Sequence, residues 1–140
     1  MVRTGVKRQV DVSEGGKATR SLHEVELTLF NLSTCNQPTW YANFLTDNMI
    51  CAGYAGGGRG TCSGDSGGPL ACVDKAMKTW RLIGLTSWAK VPCAGPQSPT
   101  IFTRVSAFVP WINSVVDKKT DDADVNSRII DKMTIMHLLK

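Results

Sequence analysis

Long apolar runs are missing from this 140-residue sequence. None reaches the roughly 20 residues that a membrane-crossing helix needs. The opening Met1-Val2-Arg3-Thr4-Gly5 has no apolar core of a signal peptide. No Cys-x-x-Cys occurs, so the five cysteines lack metal-type spacing and no metal or cofactor is expected. Charge is sparse, at 20% of residues and a net of +4. Residues 1–116 hold 11 Lys and Arg against 7 Asp and Glu, and residues 117–140 hold 5 and 5. That excess forms no dense basic stripe, which argues against a nucleic-acid binder. Histidine is scarce too: only His23 and His137 are present.

What is present points to one small β domain. Thirteen glycines and six prolines break up short β-type runs, the pattern of an all-β barrel or sandwich. The cysteine usage suits disulfides in an oxidising compartment. A chain made as written would stay in the reducing cytosol, which conflicts with that usage. The expectation is therefore a fragment or alternative product of a longer secreted precursor.

Three segments differ in kind. Residues 1–21 are polar and basic, with an exposed loop at Ser13-Glu14-Gly15-Gly16-Lys17. Residues 22–116 carry the folded part. Leu22–Phe30 alternates, with His23, Val25, Leu27 and Leu29 on one face and Glu24, Glu26 and Thr28 on the other. His23 reads as a hydrogen-bonded structural histidine. Asn31-Leu32-Ser33 is an N-glycosylation sequon, which matters only in a secreted chain. Ser33–Asn36 reads as a helical turn ended near Pro38, with Trp40 and Tyr41 packing in the core. Met49–Gly53 is a strand, Tyr54–Gly60 a flexible glycine-rich loop, and Pro69–Val73 with Thr79–Trp88 a hairpin. Thr100–Val105 is a further strand. Ala107–Val116 is a closing helix, with Pro110 in its first turn and Phe108, Trp111, Ile112 and Val115 facing the barrel. Residues 117–140 form a tail, disordered or weakly helical. There Asp121, Asp122 and Asp124 precede Val125, Ile129, Met133 and Met136 at helical spacing. His137 in this tail reads as solvent-exposed.

The chain is organised around Gly64-Asp65-Ser66-Gly67-Gly68-Pro69-Leu70. Three glycines and a proline make a rigid turn with an exposed hydroxyl and outward N–H groups. That arrangement suits a nucleophile flanked by an anion-binding nest. The plainer reading is an ordinary glycine-rich loop. The letters Gly64-x-Ser66-x-Gly68 also satisfy the nucleophile elbow of α/β-hydrolases. That elbow needs a helix directly after the serine, and Gly67-Gly68-Pro69 followed by β-type runs does not supply one.

Further motifs stand in order around this turn: Met49-Ile50-Cys51-Ala52-Gly53-Tyr54, Cys62, Thr86-Ser87-Trp88, Cys93, Ile101-Phe102-Thr103-Arg104-Val105 and Phe108-Val109-Pro110-Trp111-Ile112. Over about residues 12–116 the chain resembles the C-terminal half of a chymotrypsin-like (trypsin-family) serine endopeptidase. The resemblance implies a six-stranded β-barrel whose first strand is in doubt, because Val10-Asp11-Val12 fills its place poorly. It implies disulfides Cys35–Cys51 and Cys62–Cys93 and leaves Cys72 as a free thiol. Ser66 becomes the nucleophile, with the N–H groups of Gly64 and Ser66 as oxyanion hole. Gly60 takes the pocket-base position. Ser87, Trp88 and Ala89 form one wall, and Thr100 narrows another. Gly60 in place of an acid favours small apolar side chains or a blocked pocket.

The same resemblance exposes a deficit. The family's histidine lies in an Ala-Ala-His-Cys stretch and its aspartate on a downstream strand, and neither stretch is here. His23 and His137 match neither context. Asp65 normally pairs with an α-amino group that the missing half supplies. The expectation is that it points elsewhere or into water, with a zymogen-like loop. Three functional readings follow. One is a serine endopeptidase by family that is inactive alone and acts on polypeptides with a complementary half. The second is a non-catalytic protease-like module that binds a protein partner. The third is an unstable fragment with an exposed inter-barrel face.

Overall fold

The computed structural model describes residues 2–6, 23–74 and 76–121. Six strands close into an antiparallel barrel: β1 (Val2–Val6), β2 (His23–Phe30), β3 (Met49–Gly53), β4 (Pro69–Asp74), β5 (Thr79–Trp88) and β6 (Thr100–Arg104). Their order around the barrel is β1-β2-β3-β6-β5-β4. A short helix α1 (Leu32–Cys35) follows β2, a 3-10 turn (Val105–Ala107) follows β6, and helix α2 (Val109–Asp121) closes the described chain.

The first strand is present at Val2–Val6, and Val10-Asp11-Val12 lies outside the described residues. The strand pairs with β2 through Val2↔Leu27 to Val6↔His23 and with β4 through Val2↔Cys72 to Thr4↔Leu70. Both edges of β1 are thus hydrogen-bonded, and the barrel has no open edge for another chain to extend. The polar letters of residues 1–21 hid this strand, because a five-residue β segment paired on both sides needs backbone groups more than an apolar run. The register also accounts for Cys72. The residue opposite it is Val2, so among the described residues the thiol is free.

Alternation in β2 holds through its first half. Leu27 is fully buried and Glu24 and Glu26 are exposed. Leu29 breaks the pattern at 47% exposure. Beyond Leu27 the strand leaves β1 and pairs with β3 from Thr28 to Phe30. Leu29 then lines the open end of the barrel, where no described residue covers it fully. Inside, Leu27, Ile50, Ala52, Leu70 and Phe102 form the central cluster. A Cβ on Gly84 would stand 3.0 Å from Phe102 Cβ and 3.3 Å from Leu70 Cδ2, so this strand position has no room for a side chain.

A second cluster ties the segment after α1 to the barrel. It contains Cys35, Trp40, Tyr41, Leu45, Cys51 and Ile101, with Phe30 and Trp88 packed against it. Cys35–Cys51 staples α1 to β3 across a separation of 16 residues. Asn36 adds a reciprocal pair: its Nδ2 donates to the Leu45 carbonyl and its Oδ1 accepts from the Leu45 N–H, both at 2.9 Å. Tyr41 donates to the buried Pro99 carbonyl and meets Trp88 edge-on at 5.2 Å. Burial pushes the Tyr41 phenol up to about 12.

The β4–β5 turn is set by one carboxylate. Asp74 Oδ1 accepts from the N–H groups of Ala76 (3.0 Å) and Met77 (3.2 Å), and Oδ2 meets Arg81 Nε at 2.8 Å. The Met77 and Ala76 N–H groups, with the Arg81 charge, hold the Asp74 carboxyl below its ordinary range.

Helix α2 corrects the expected closing helix. It runs on past Val116, and among the described residues its apolar side is only partly covered, with Ile112 half-buried. Trp111 is 65% exposed, and Phe108, Val109 and Val115 are exposed beside it. Its main neighbour is the 3-10 turn, not the sheet. Helical periodicity showed an apolar side correctly but could not say whether this barrel was what covers it. The loop at 13–17 and the tail from 122 to 140 lie outside the described residues.

Three outcomes test this account. Leu70→Ala should lower the unfolding free energy by about 2–5 kcal/mol in urea titrations, because the central cluster has no spare side chain to refill it. Tyr41→Phe should cost about 1–3 kcal/mol at neutral pH by orphaning the Pro99 carbonyl. The Tyr41 phenol is raised in the fold, so its contribution is whole below about pH 10 and lost as pH climbs toward about 12. Urea midpoints of wild type and Tyr41→Phe should therefore converge over that window. Asp74→Ala should lower Tm at neutral pH. The carboxyl is depressed in the fold, so that difference should shrink as pH falls through the acid range. A Tm gap that persists in strong acid would refute the role given to the Asp74 charge.

Candidate functional site

Strand register sorts the barrel into two ends. Pro69 of β4, Trp88 of β5, Thr100 of β6 and Gly53 of β3 lie at one end. Gly60, Gly64, Asp65, Ser66, Ser87, Trp88, Ala89 and Thr100 sit there or on the loops leaving it, whereas Cys72 lines the cavity at the other end. Asn31 also lies at the other end, beyond Phe30.

The Ser66 turn is held by backbone bonds. Asp65 N–H donates to Cys62 C=O (3.0 Å) and Gly68 N–H to Asp65 C=O (2.9 Å). Gly67 N–H donates to Thr86 C=O, and Thr86 N–H returns a bond to Gly68 C=O, both at 2.8 Å. Gly64 and Gly67 adopt φ of 94° and 78°, the left-handed region that a Cβ disfavours. Among the described residues, the N–H groups of Gly64 and Ser66 have no backbone acceptor. Ser66 itself is exposed. Two donors with unfilled capacity flank an accessible hydroxyl, as an oxyanion hole requires.

Asp65 corrects the alternative of a carboxylate in water. It is 2% exposed, and Oδ2 accepts from Cys62 N–H at 2.9 Å. A buried carboxylate is held by hydrogen bonding, and this bond folds the side chain back onto its own turn.

The pocket residues meet across two loops. A Cβ on Gly60 would lie 3.2 Å from Ala94 Cβ and 3.4 Å from Thr100 Oγ1. Thr100 is buried and its Oγ1 accepts from Thr61 N–H (3.3 Å) and lies 3.0 Å from Thr61 Oγ1. The 54–60 loop is irregular but tied down. Gly58 N–H donates to Ala94 C=O (2.8 Å) and Gln97 N–H to Ala55 C=O (2.9 Å). A Cβ on Gly57 would stand 2.5 Å from the Ala94 oxygen, so this glycine serves close approach rather than the looseness read from the sequence. Cys62–Cys93 then locks the two loops together over a separation of 31 residues. Such a closure is worth about 3 kcal/mol or more on the loop-entropy account.

Ser87 and Trp88 end β5 and Ala89 follows it, directly after the Thr86 that bonds the Ser66 turn. Trp88 is half-buried, wedged edge-on against Tyr41 and, at 5.7 Å, Phe44. Lys90 stands 4.7 Å over the Tyr41 ring and donates to Trp40 C=O. Sequence reasoning placed Tyr41 in the core but missed Thr61, Thr86 and Lys90 as supports of this end. Their contacts are long-range and leave no periodic signal. Thr86 Oγ1 is buried without a hydrogen-bond partner among the described residues.

His23 lies on β2, two strands from β4, and no described side chain is hydrogen-bonded to the Ser66 hydroxyl. His137 lies outside the described residues. Among them, no cluster of His, Cys, Asp or Glu could hold a metal.

A family-wide profile described as Trypsin matches residues 2–112. Transmembrane protease serine 5 of Homo sapiens is 42% identical over 92 residues, covering 66% of this chain and 20% of that protein. Transmembrane protease serine 11E of Mus musculus is 40% identical over 99 residues, covering 71% of this chain and 23% of that protein. The chain thus spans about a fifth of the length of these relatives. The profile covers well over half of the sequence, and the chain belongs to the trypsin family of serine proteases.

Proposed function

We propose that this barrel is the nucleophile-bearing half of a serine endopeptidase acting on polypeptides, with Ser66 as nucleophile and the N–H groups of Gly64 and Ser66 as oxyanion hole. One observation carries the reading: an exposed serine on a turn held rigidly to β5, flanked by two N–H groups without backbone acceptors. Among the described residues no side chain is hydrogen-bonded to the Ser66 hydroxyl, and the proton acceptor comes from elsewhere in this reading. Removal of any triad member leaves only about 10³–10⁴-fold catalysis over water. The chain alone is therefore inactive. A complementary half carrying histidine and aspartate completes it, and we assign the exposed Phe108, just before α2, and Trp111 and Val115 of α2 to that docking face. The family and both relatives' names favour an extracellular setting, in keeping with the two disulfides. No helix among the described residues is long and apolar enough to cross a membrane.

A second reading is a protease-like module that binds protein without cutting it. What favours it is the crowding at Gly60, where Ala94 and the Thr100 hydroxyl take up space that a deep pocket needs.

A fluorophosphonate probe read by mass spectrometry tests the first proposal. The chain alone should label no more than Ser66→Ala. Hydrolysis of an ester or peptide that Ser66→Ala abolishes would overturn the claim of inactivity. Pocket size has its own test. Peptides with Ala or Val at the pocket residue should bind better than those with Phe or Arg. Thr100→Gly should shift that preference toward the larger side chains by about 10-fold or more in calorimetric titrations, since one methylene in such a slot decides about 1–3 kcal/mol.

A further inference from the structure

The end of the barrel away from Ser66 opens into a cavity of about 600 Å³. Leu29, Leu32, Met49, Cys72, Val105 and Val109 are among its lining residues, and Asn31 stands at it as well. Leu29 is 47% and Val109 42% exposed, so the apolar lining reaches the surface. Asn31 is the only asparagine in the sequence that begins an Asn-x-Ser/Thr triplet: Asn36, Asn43, Asn48, Asn113 and Asn126 lack it.

The local fold presents this triplet outward. Asn31 is the N-cap of α1, with extended backbone (φ −64°, ψ 145°), and its side chain makes no capping hydrogen bond. Asn31 and Ser33 are exposed, while Leu32 between them packs against the second core cluster. The middle residue anchors the triplet and the two reactive residues face solvent. An amide that caps nothing can be modified without taking a hydrogen bond from the helix.

We propose that Asn31 carries an N-linked glycan that overhangs the cavity and shields its apolar lining. The step is a transfer from a lipid-pyrophosphate-linked oligosaccharide. An Nδ2–H bond of Asn31 breaks and an Nδ2–C1 bond forms to the first N-acetylglucosamine. The C1–phosphate bond breaks, and the lipid pyrophosphate leaves with the proton. The glycan sits at the end of the barrel opposite Ser66, so it does not compete with a polypeptide there. The proposal rests on the extracellular reading, because the donor lipid is met only in the secretory pathway.

The test is expression of the full chain behind a cleavable secretory leader in mammalian cells. Peptide N-glycosidase should lower the mass and leave Asp at position 31. Asn31→Gln and Ser33→Ala should lose the glycan, and Ser33→Thr should keep it. An unmodified Asn31 overturns the proposal. If Cys35–Cys51 and Cys62–Cys93 have formed, the failure belongs to the glycan alone. If those thiols are free, the extracellular reading fails with it. Shielding is read at Cys72, which lines the cavity. Maleimide should alkylate it severalfold faster after enzymatic deglycosylation, and equal rates would remove the claim of cover.

Discussion

Two backbone hydrogen bonds hold the functional end of this molecule together. Gly67 N–H reaches Thr86 C=O, and Thr86 N–H returns to Gly68 C=O. They extend the β4–β5 pairing by one step, past Pro69↔Leu85, into a segment that is no longer a strand. Because they are backbone bonds, they ask little of the side chains except space. Left-handed φ at Gly64 and Gly67 lets the chain reverse there without a steric cost. The consequence for chemistry is direct. Ser66 rides on a hairpin rung, so its hydroxyl and the neighbouring N–H groups inherit the rigidity of the sheet. Catalysis by charge stabilisation depends on donors fixed before the charge arrives.

Around that rung lies a buried polar layer: Thr61, Asp65, Thr86 and Thr100. The central cluster next to it is wholly apolar. Burying four polar side chains costs stability unless each finds partners. Thr61 and Thr100 meet each other, and Asp65 turns to the Cys62 N–H. The Cys62–Cys93 bridge holds the loops that make these contacts possible. Loss of this bridge should therefore loosen the pocket before it loosens the barrel, because the apolar cluster and the six-strand closure do not depend on it.

Much of the fold was legible from letters alone, and the reason differs by element. β2 showed itself by alternation up to Leu27, the β4–β5 hairpin by its runs, and α1 by its place before Pro38. The Ser66 turn was legible because glycine and proline report backbone shape directly. β1 was not: Val2-Arg3-Thr4-Gly5-Val6 has no amphipathic signature, and only pairing on both edges makes it a strand. Leu29 and α2 misled for a shared reason. Periodicity identifies an apolar side but not its covering, and both lie where the barrel ends. For Asp65 the two open alternatives, elsewhere or water, separate only in three dimensions, where the side chain is buried and accepts from the N–H three residues back. The crowding of Gly60 by Ala94 came from a loop contact across more than thirty residues.

The two ends of the barrel set different problems. At the Ser66 end, glycines at 53, 57 and 60 allow loops to approach within contact distance of the 94–100 segment, and a disulfide fixes the approach. Such an end can be specific but has little freedom to adapt to a large side chain. At the far end, Leu29, Val109 and Trp111 remain in contact with water. Apolar surface of this kind is a cost in isolation and an asset on assembly, since its removal from water is what drives association. Phe44 and Val91 show that the Ser66 end also leaves apolar side chains in water, so the two ends differ in how tightly their loops are held and not in whether apolar surface is exposed.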